Sequence, residues 1–110
     1  NYAEYFEVAR VEALRELNIN YKELEESGIM LPVYTFSIKY FNPAYYDDVL
    51  TIKTIVKEIP KARITFDYET YNENGELLNN GSTVLVFIDV KTKKPIRAPK
   101  ELIKKISIYF

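Results

Sequence analysis

The 110-residue sequence carries 15 Lys and Arg against 16 Asp and Glu, a formal charge of −1, with 47% hydrophobic and 28% charged residues. That describes one ordinary globular domain large enough for a core, with no disordered tract and no run approaching a membrane span. There is no cysteine and no histidine, which excludes disulfides, thiolate and imidazole metal sites, Ser-His and Cys-His catalysis and the commonest general base. Any chemistry is left to carboxylates, Tyr, Lys, hydroxyls and backbone amides. No sorting signal is visible, so the protein reads as soluble and cytoplasmic. Ten Tyr and six Phe suit sheets and interfaces alike.

The first element is a helix over Asn1 to Leu17. Tyr2, Phe6, Ala9, Ala13 and Leu17 recur at helical spacing, while Tyr5, Val8, Val11 and Leu14 spread over much of the remaining circumference. A helix apolar on more than one face is expected to be wrapped by other structure. Asn20, with Glu23 three positions on, reads as the capping box of a second, short helix that Gly28 ends. Tyr34, Phe36, Ile38 and Tyr40 then alternate with Val33, Thr35, Ser37 and Lys39, a strand. A turn-rich stretch containing Asn42-Pro43-Ala44 and Tyr45-Tyr46-Asp47-Asp48 follows. A second strand is expected over about Val49 to Lys57 and a third from Arg63. The Asn74-Gly75 turn makes the third an antiparallel neighbour of a fourth, from Leu77 to Val90, with a bulge expected at Gly81. Pro99 starts a last helix carrying Leu102, Ile103 and Ile106.

Two features of this layout bear on partners. Apolar or aromatic residues on the outer rows (Val33, Phe41, Val49, Ile55, Tyr71) predict an oligomer, since that many are poorly left in water. Charge is also uneven: residues 91–110 hold seven Lys and Arg and one acid, with the switch at Lys91-Thr92-Lys93-Lys94. Such a segment suits phosphates or acidic lipid, or is a solvated turn followed by a helix with Lys at its favoured C-terminal end. No Gly-rich phosphate loop, metal-ligand cluster or nucleic-acid motif occurs.

Several local strings, in order, resemble the hotdog-fold acyl-CoA thioesterases of the 4-hydroxybenzoyl-CoA thioesterase-like branch. They are Asn1-Tyr2 with Tyr5-Phe6-Glu7-Val8-Ala9-Arg10, Leu31-Pro32-Val33, Tyr40-Phe41-Asn42-Pro43-Ala44 with Asp47-Asp48, Lys61-Ala62-Arg63-Ile64-Thr65-Phe66, and Val86-Phe87-Ile88-Asp89 with Pro95 and Pro99. The resemblance implies an α+β hotdog fold, an antiparallel β-sheet wrapped around the central N-terminal helix with a short C-terminal helix, as a single domain over 1–110. It implies hydrolysis of an acyl-CoA thioester to free acid and CoA, by a homodimer or homotetramer with composite sites at the subunit interface. No metal and no cofactor beyond the substrate's own coenzyme A is implied. The alternative from another class is a non-catalytic acyl-binding or scaffold domain. In this branch a first strand and a loop with a catalytic Asp, within an E-T-D-x-x-G string, precede the helix. Both are expected to be absent before residue 1, so the catalytic residue lies outside this sequence.

Within the sequence, Asn1, Tyr2 and Ala3 occupy the helix start, where free amides and the helix dipole suit an oxyanion. Asn1 reads equally as an ordinary N-cap and Tyr2 as a core-facing aromatic. Glu7, though a related branch places an acid on this helix, stands at ion-pair spacing from Arg10 and reads as its partner. Asp47 and Asp48 read as turn caps. Tyr45 and Tyr46 suit an acyl pocket or a subunit contact. By the resemblance, Lys61, Ala62 and Arg63 approach CoA phosphates from the neighbouring subunit, with Arg97 as a second cationic contact; the alternative is exposed cations at a turn.

Overall fold

A computed structural model describes residues 1–110. Helix α1 (Tyr2–Glu16) and the one-and-a-half-turn α2 (Tyr21–Glu26) are followed by strands β1 (Ile29–Met30), β2 (Val33–Tyr40), β3 (Thr51–Ile55), β4 (Arg63–Tyr71), β5 (Leu77–Val86) and β6 (Ile88–Asp89), and by α3 (Lys100–Ser107). Four strands form an antiparallel sheet in the order β2-β5-β4-β3, and β1 pairs with β6 in a separate ribbon. The expected fourth strand is therefore two: the chain leaves the main sheet at Phe87 and pairs instead with Ile29–Met30. Two-residue strands carry no periodicity, so this ribbon is invisible in the sequence. The second strand is shorter than expected because the Val49 amide donates to the Glu73 carboxylate at 3.2 Å instead of joining the ladder.

Helix α1 is not apolar-packed all round. Its buried residues are Phe6, Arg10 and Leu14, while Tyr5 and Val8 are 46% and 63% exposed. One stripe faces the sheet and the opposite side faces out. The seat of that stripe is Phe6, which stacks on Tyr68 of β4 at 4.3 Å with planes 2° apart and meets Phe36 of β2 at 6.0 Å. One side chain thus touches strands on both sides of β5, as a sheet bent about a helix allows. Between them lies Gly81, whose register is regular with both neighbours, Ile38 and Tyr68. The expected bulge is not at Gly81. The register shifts lie between Val33 and Thr35 and between Thr70 and Tyr71. Glycine is needed at 81 for closeness: a Cβ there would stand 2.5 Å from Phe6 Cε2 and 3.2 Å from the Ser37 carbonyl oxygen.

The other face of the sheet also differs from expectation. On β4 the buried Ile64, Phe66, Tyr68 and Thr70 alternate with Arg63, Thr65, Asp67 and Glu69, and the pairing puts Lys53, Ser82 and Asn80 on that second side. It is mostly polar. Of the residues expected on the outer rows, Val33, Phe41 and Val49 are exposed and Ile55 and Tyr71 half-buried. Exposed apolar side chains are grouped on edge strand β2 and the connection after it, with Tyr34, Phe36, Tyr40, Tyr45 and Tyr46, and at the C-terminal Ile108, Tyr109 and Phe110.

The ends of the elements follow local chemistry. The Asn20 side chain caps α2 through the amides of Lys22 and Glu23, at 2.8 and 3.3 Å. Gly75 takes the left-handed conformation, φ +78°, that the β4–β5 hairpin requires. After β6, Asp89 accepts from the amides of Lys91 and Thr92 at 2.8 and 3.0 Å, and these bonds hold its carboxyl below the usual carboxylate range. Helix α3 buries Leu102 and Ile106 as its spacing predicts.

Gly81→Ala tests the seat. Phe6 is fully buried and stacked, so it has little room to yield, and overpacking of this kind costs about 1–3 kcal/mol. Thermal unfolding of the variant is expected roughly 5–15 °C lower; an unchanged midpoint would mean that Phe6 is not held where it is described.

Candidate active site

Asn1 caps α1. Its Oδ1 accepts from the Ala3 amide at 2.9 Å and from the Glu4 amide at 3.4 Å, and its carbonyl accepts from Tyr5 N–H at 3.1 Å. The cap therefore corrects the expectation of free amides at Asn1, Tyr2 and Ala3: the Ala3 amide is taken. Within the first turn, Tyr2 N–H is the helical amide left without a partner in the chain, at the positive end of a 15-residue helix.

The Tyr2 side chain lies between helix and sheet, 5.9 Å from the Tyr40 ring and 5.6 Å from that of Tyr5. Burial pushes its phenol above the ordinary value, with the Asn79 carboxamide acting in the opposite direction. The two are near each other, but no hydrogen bond closes between them. Beneath them, Asn79 and Thr70 are wholly buried.

One helical turn pair further on, Arg10 is also buried, at 7% exposure. Neither ion pair in the chain involves it; these are Glu12 with Arg15 at 2.8 Å and Lys57 with Asp67 at 3.7 Å. The expected Glu7–Arg10 pair is thus absent, and Glu7 stands exposed while Arg10 is buried. The sequence places Arg10 on the helix but cannot show that the guanidinium turns inward. There it lies beside the hydroxyls of Tyr68 and Tyr21. Burial acts to lower the Arg10 pKa, but these hydroxyls outweigh it and leave it above the ordinary value. The Tyr68 and Tyr21 phenols are raised by burial, with Arg10 opposing. Tyr68 completes the group through a 2.6 Å hydrogen bond with Thr83 Oγ1.

The expected phosphate contacts form a second cluster. Lys61, Ala62 and Arg63 are exposed and line a groove of about 350 Å³ with Lys57, Glu58 and Asp67. Ala98 N–H donates to the Lys61 carbonyl at 2.6 Å, which draws the Arg97 backbone alongside, although Arg97 is not part of the groove wall. Sequence reasoning missed Tyr34. Its ring lies 4.7 Å under the Arg63 guanidinium, a placement set by the irregularity at Val33–Thr35 that turns Tyr34 to the second face of the sheet.

These two clusters do not meet within one chain. Arg63 pairs with Val86 at the far end of β5, seven residues from Asn79, or roughly 23 Å along the strand. They also lie on opposite faces of the sheet. No group of three or more acidic, His or Cys side chains is placed to hold a metal ion.

Comparison with known proteins identifies the arrangement. Residues 1–106 match the model of the thioesterase-like superfamily. The acyl-CoA thioesterase YbgC of Haemophilus influenzae is 34% identical over 102 residues, covering 92% of this chain and 74% of its own. The acyl-CoA thioester hydrolase YbgC of Escherichia coli O6:H1 is 27% identical over 103 residues, covering 94% and 77%. The DHNA-CoA thioesterase from Staphylococcus aureus superposes with a TM-score of 0.91 at 35% identity, over 99% of this chain and 75% of that one. With its central helix seated on a bent antiparallel sheet, the chain belongs to the hotdog-fold thioesterase-like superfamily.

Proposed function

We propose that this protein is an acyl-CoA thioesterase, hydrolysing the thioester to a free acid and CoA. The observation that carries the reading is the uncommitted Tyr2 amide at the start of the helix that defines the family's fold. Supporting it, the YbgC relatives above are named for this activity and are 34% and 27% identical over nearly all of this chain.

In the proposed reaction the thioester carbonyl oxygen sits at the α1 N-terminus. Negative charge develops on that oxygen as a water or carboxylate adds to the carbon. Tyr2 N–H and the helix dipole stabilise it without reorganising, because the cap already fixes the first turn. Collapse of the adduct breaks the C–S bond and releases the CoA thiolate. Where water attacks, its proton passes to the base and the free acid is left; where a carboxylate attacks, a second step with water hydrolyses the resulting anhydride to the acid and restores the carboxylate. The attacking group, by the resemblance, is an Asp of the loop that precedes the helix in this branch, acting as nucleophile or base. No step calls for a cofactor beyond the CoA of the substrate.

Lys61, Ala62 and Arg63, with Arg97 behind them, are proposed to hold the CoA phosphates. The separation of this cluster from the helix start favours a composite site, with the cations of one subunit serving the helix of another. The free edge of the eight-residue β2 and its exposed aromatic residues support a homodimer or homotetramer. No helix is long and apolar enough to cross a membrane, and we place the reaction in the cytoplasm.

Three outcomes check this reading. The full-length protein is expected to release free CoA from aliphatic or aromatic acyl-CoA, followed with a thiol reagent; silence across both panels would sink the enzyme assignment, and binding without release would favour an acyl-binding domain. Lys61→Ala with Arg63→Ala should raise KM about tenfold or more while kcat stays within about twofold, because phosphate contacts remote from the carbonyl act mainly on binding. The reverse split would place these residues in the chemistry or the fold. Light scattering should give a mass at least twice that of one chain, and a monomer with full activity would exclude the composite site.

A further inference from the structure

Thr70 and Asn79 face each other across β4 and β5 on the side of the sheet that carries α1, and both are 0% exposed. Neither amide atom of Asn79 has a hydrogen-bond partner in the chain, nor does Thr70 Oγ1. Leaving such groups unpaired in the interior costs stability. The core around them is largely apolar, with Phe6, Phe66 and Leu85 fully buried. Packing alone would be better served by hydrocarbon at 79.

Its position is fixed by two matched repeats. Helix residues four apart rise about 6 Å and strand residues two apart about 6.8 Å. The stripe Tyr2, Phe6, Arg10 therefore keeps step with Asn79, Gly81, Thr83 on β5. Phe6 sits on Gly81. Arg10 lies beside the Tyr68 hydroxyl, which is bonded to Thr83. Tyr2 falls above Asn79, its ring packed against Tyr40, the residue paired with Asn79 from the other side. Tyr2 thus has two polar ends: a free backbone N–H at the mouth of the helix and a phenol hydroxyl near the buried carboxamide.

We propose that Asn79 is a positioning residue for the oxyanion donor: its carboxamide engages the Tyr2 hydroxyl, with Thr70 at its side, and so fixes the rotation of the first helical turn and the direction of Tyr2 N–H. What that amide stabilises rests on the thioesterase reading; the contact does not. A ring held by packing alone can rock about its attachment, whereas a hydrogen bond at its tip adds a second fixed point. Donor placement matters on that scale, because preorganisation is what an oxyanion site supplies.

The test uses Asn79→Leu, Tyr2→Phe and the double variant of the full-length protein. Deleting an oxyanion donor outright costs roughly 100- to 1000-fold in kcat, and loosening one is expected to cost about tenfold, with KM within about twofold. The double variant should be no slower than either single one, because both remove the same contact. Asn79→Leu trades one hydrogen bond for added apolar burial, so it should melt close to the wild type; loss of turnover without loss of stability is a combination that a structural role would not give. The Tyr2 backbone amide resonance should shift alike in both single variants. Unchanged kcat, multiplying losses, or slower turnover accompanied by a lower melting point would each overturn the proposal. If the wild type releases no CoA, the thioesterase reading fails on its own, and the Tyr2 resonance decides: an equal shift in both variants sustains the contact, and an unmoved resonance overturns it.

Discussion

The contact between Phe6 and the strand pair at Gly81 and Tyr68 sets the coordinate system of the molecule. A helix on a sheet can slide along the strands or roll about its axis, and hydrophobic burial by itself resists neither strongly. The absent side chain at 81 and the flat ring of Tyr68 make a socket that accepts one residue in one place. Once Phe6 is in it, the matched rises of helix and strand place every fourth helical residue over every second strand residue. Tyr2, Arg10 and Leu14 inherit their positions from that one fit. So does the helix start, whose location relative to the sheet is a matter of one turn beyond the socket.

The polar groups along this stripe show what an interior tolerates when position matters more than stability. Arg10 carries a charge into the helix–sheet interface with no carboxylate within ion-pair distance; the phenols of Tyr68 and Tyr21 lie beside it, while its Nε and the Tyr21 hydroxyl have no hydrogen-bond partner in the chain. Neutral partners stabilise a guanidinium less than an acid would, but they do not demand a second desolvated charge. Because the tyrosines point from two different elements, β4 and the start of α2, the charge also ties those elements to the helix. The arrangement spends some stability to specify one orientation of α1.

Much of this architecture was legible in the sequence, and the gaps have physical causes. Period-2 alternation found β2, β4 and most of β5, and Asn74-Gly75 found the hairpin, because these signals are local. The β1–β6 ribbon is too short to have a period. Gly81 was read as a bulge because a glycine inside a strand marks either a kink or a close approach, and only the packed helix distinguishes them. Arg10 was assigned to Glu7 on spacing that was correct for a solvent-facing pair; burial of one partner and not the other is a tertiary fact. At the candidate site, the capping role of Asn1 was visible, and with it the loss of the Ala3 amide could have been inferred. Lys61 and Arg63 can be named as candidates from the sequence because they are near neighbours in the chain. Tyr34 and Asn79 cannot, since each joins its cluster only through a cross-strand relation.

The same dependence of the helix on a distant socket has a consequence for synthesis. Residues 2–16 leave the ribosome well before their seat, since Gly81 and Tyr68 follow more than fifty residues later. A lone helix of this length is marginal in water. At elongation rates of about 5–20 residues per second, roughly 4–15 s pass before the seat exists. In that interval Tyr5, Val8 and the other apolar residues of α1 are carried by a nascent chain without their seat, and an element made before most of the sheet is among the last to become structured. Arrested chains ending before Gly81 would show this directly as amides of α1 that exchange freely.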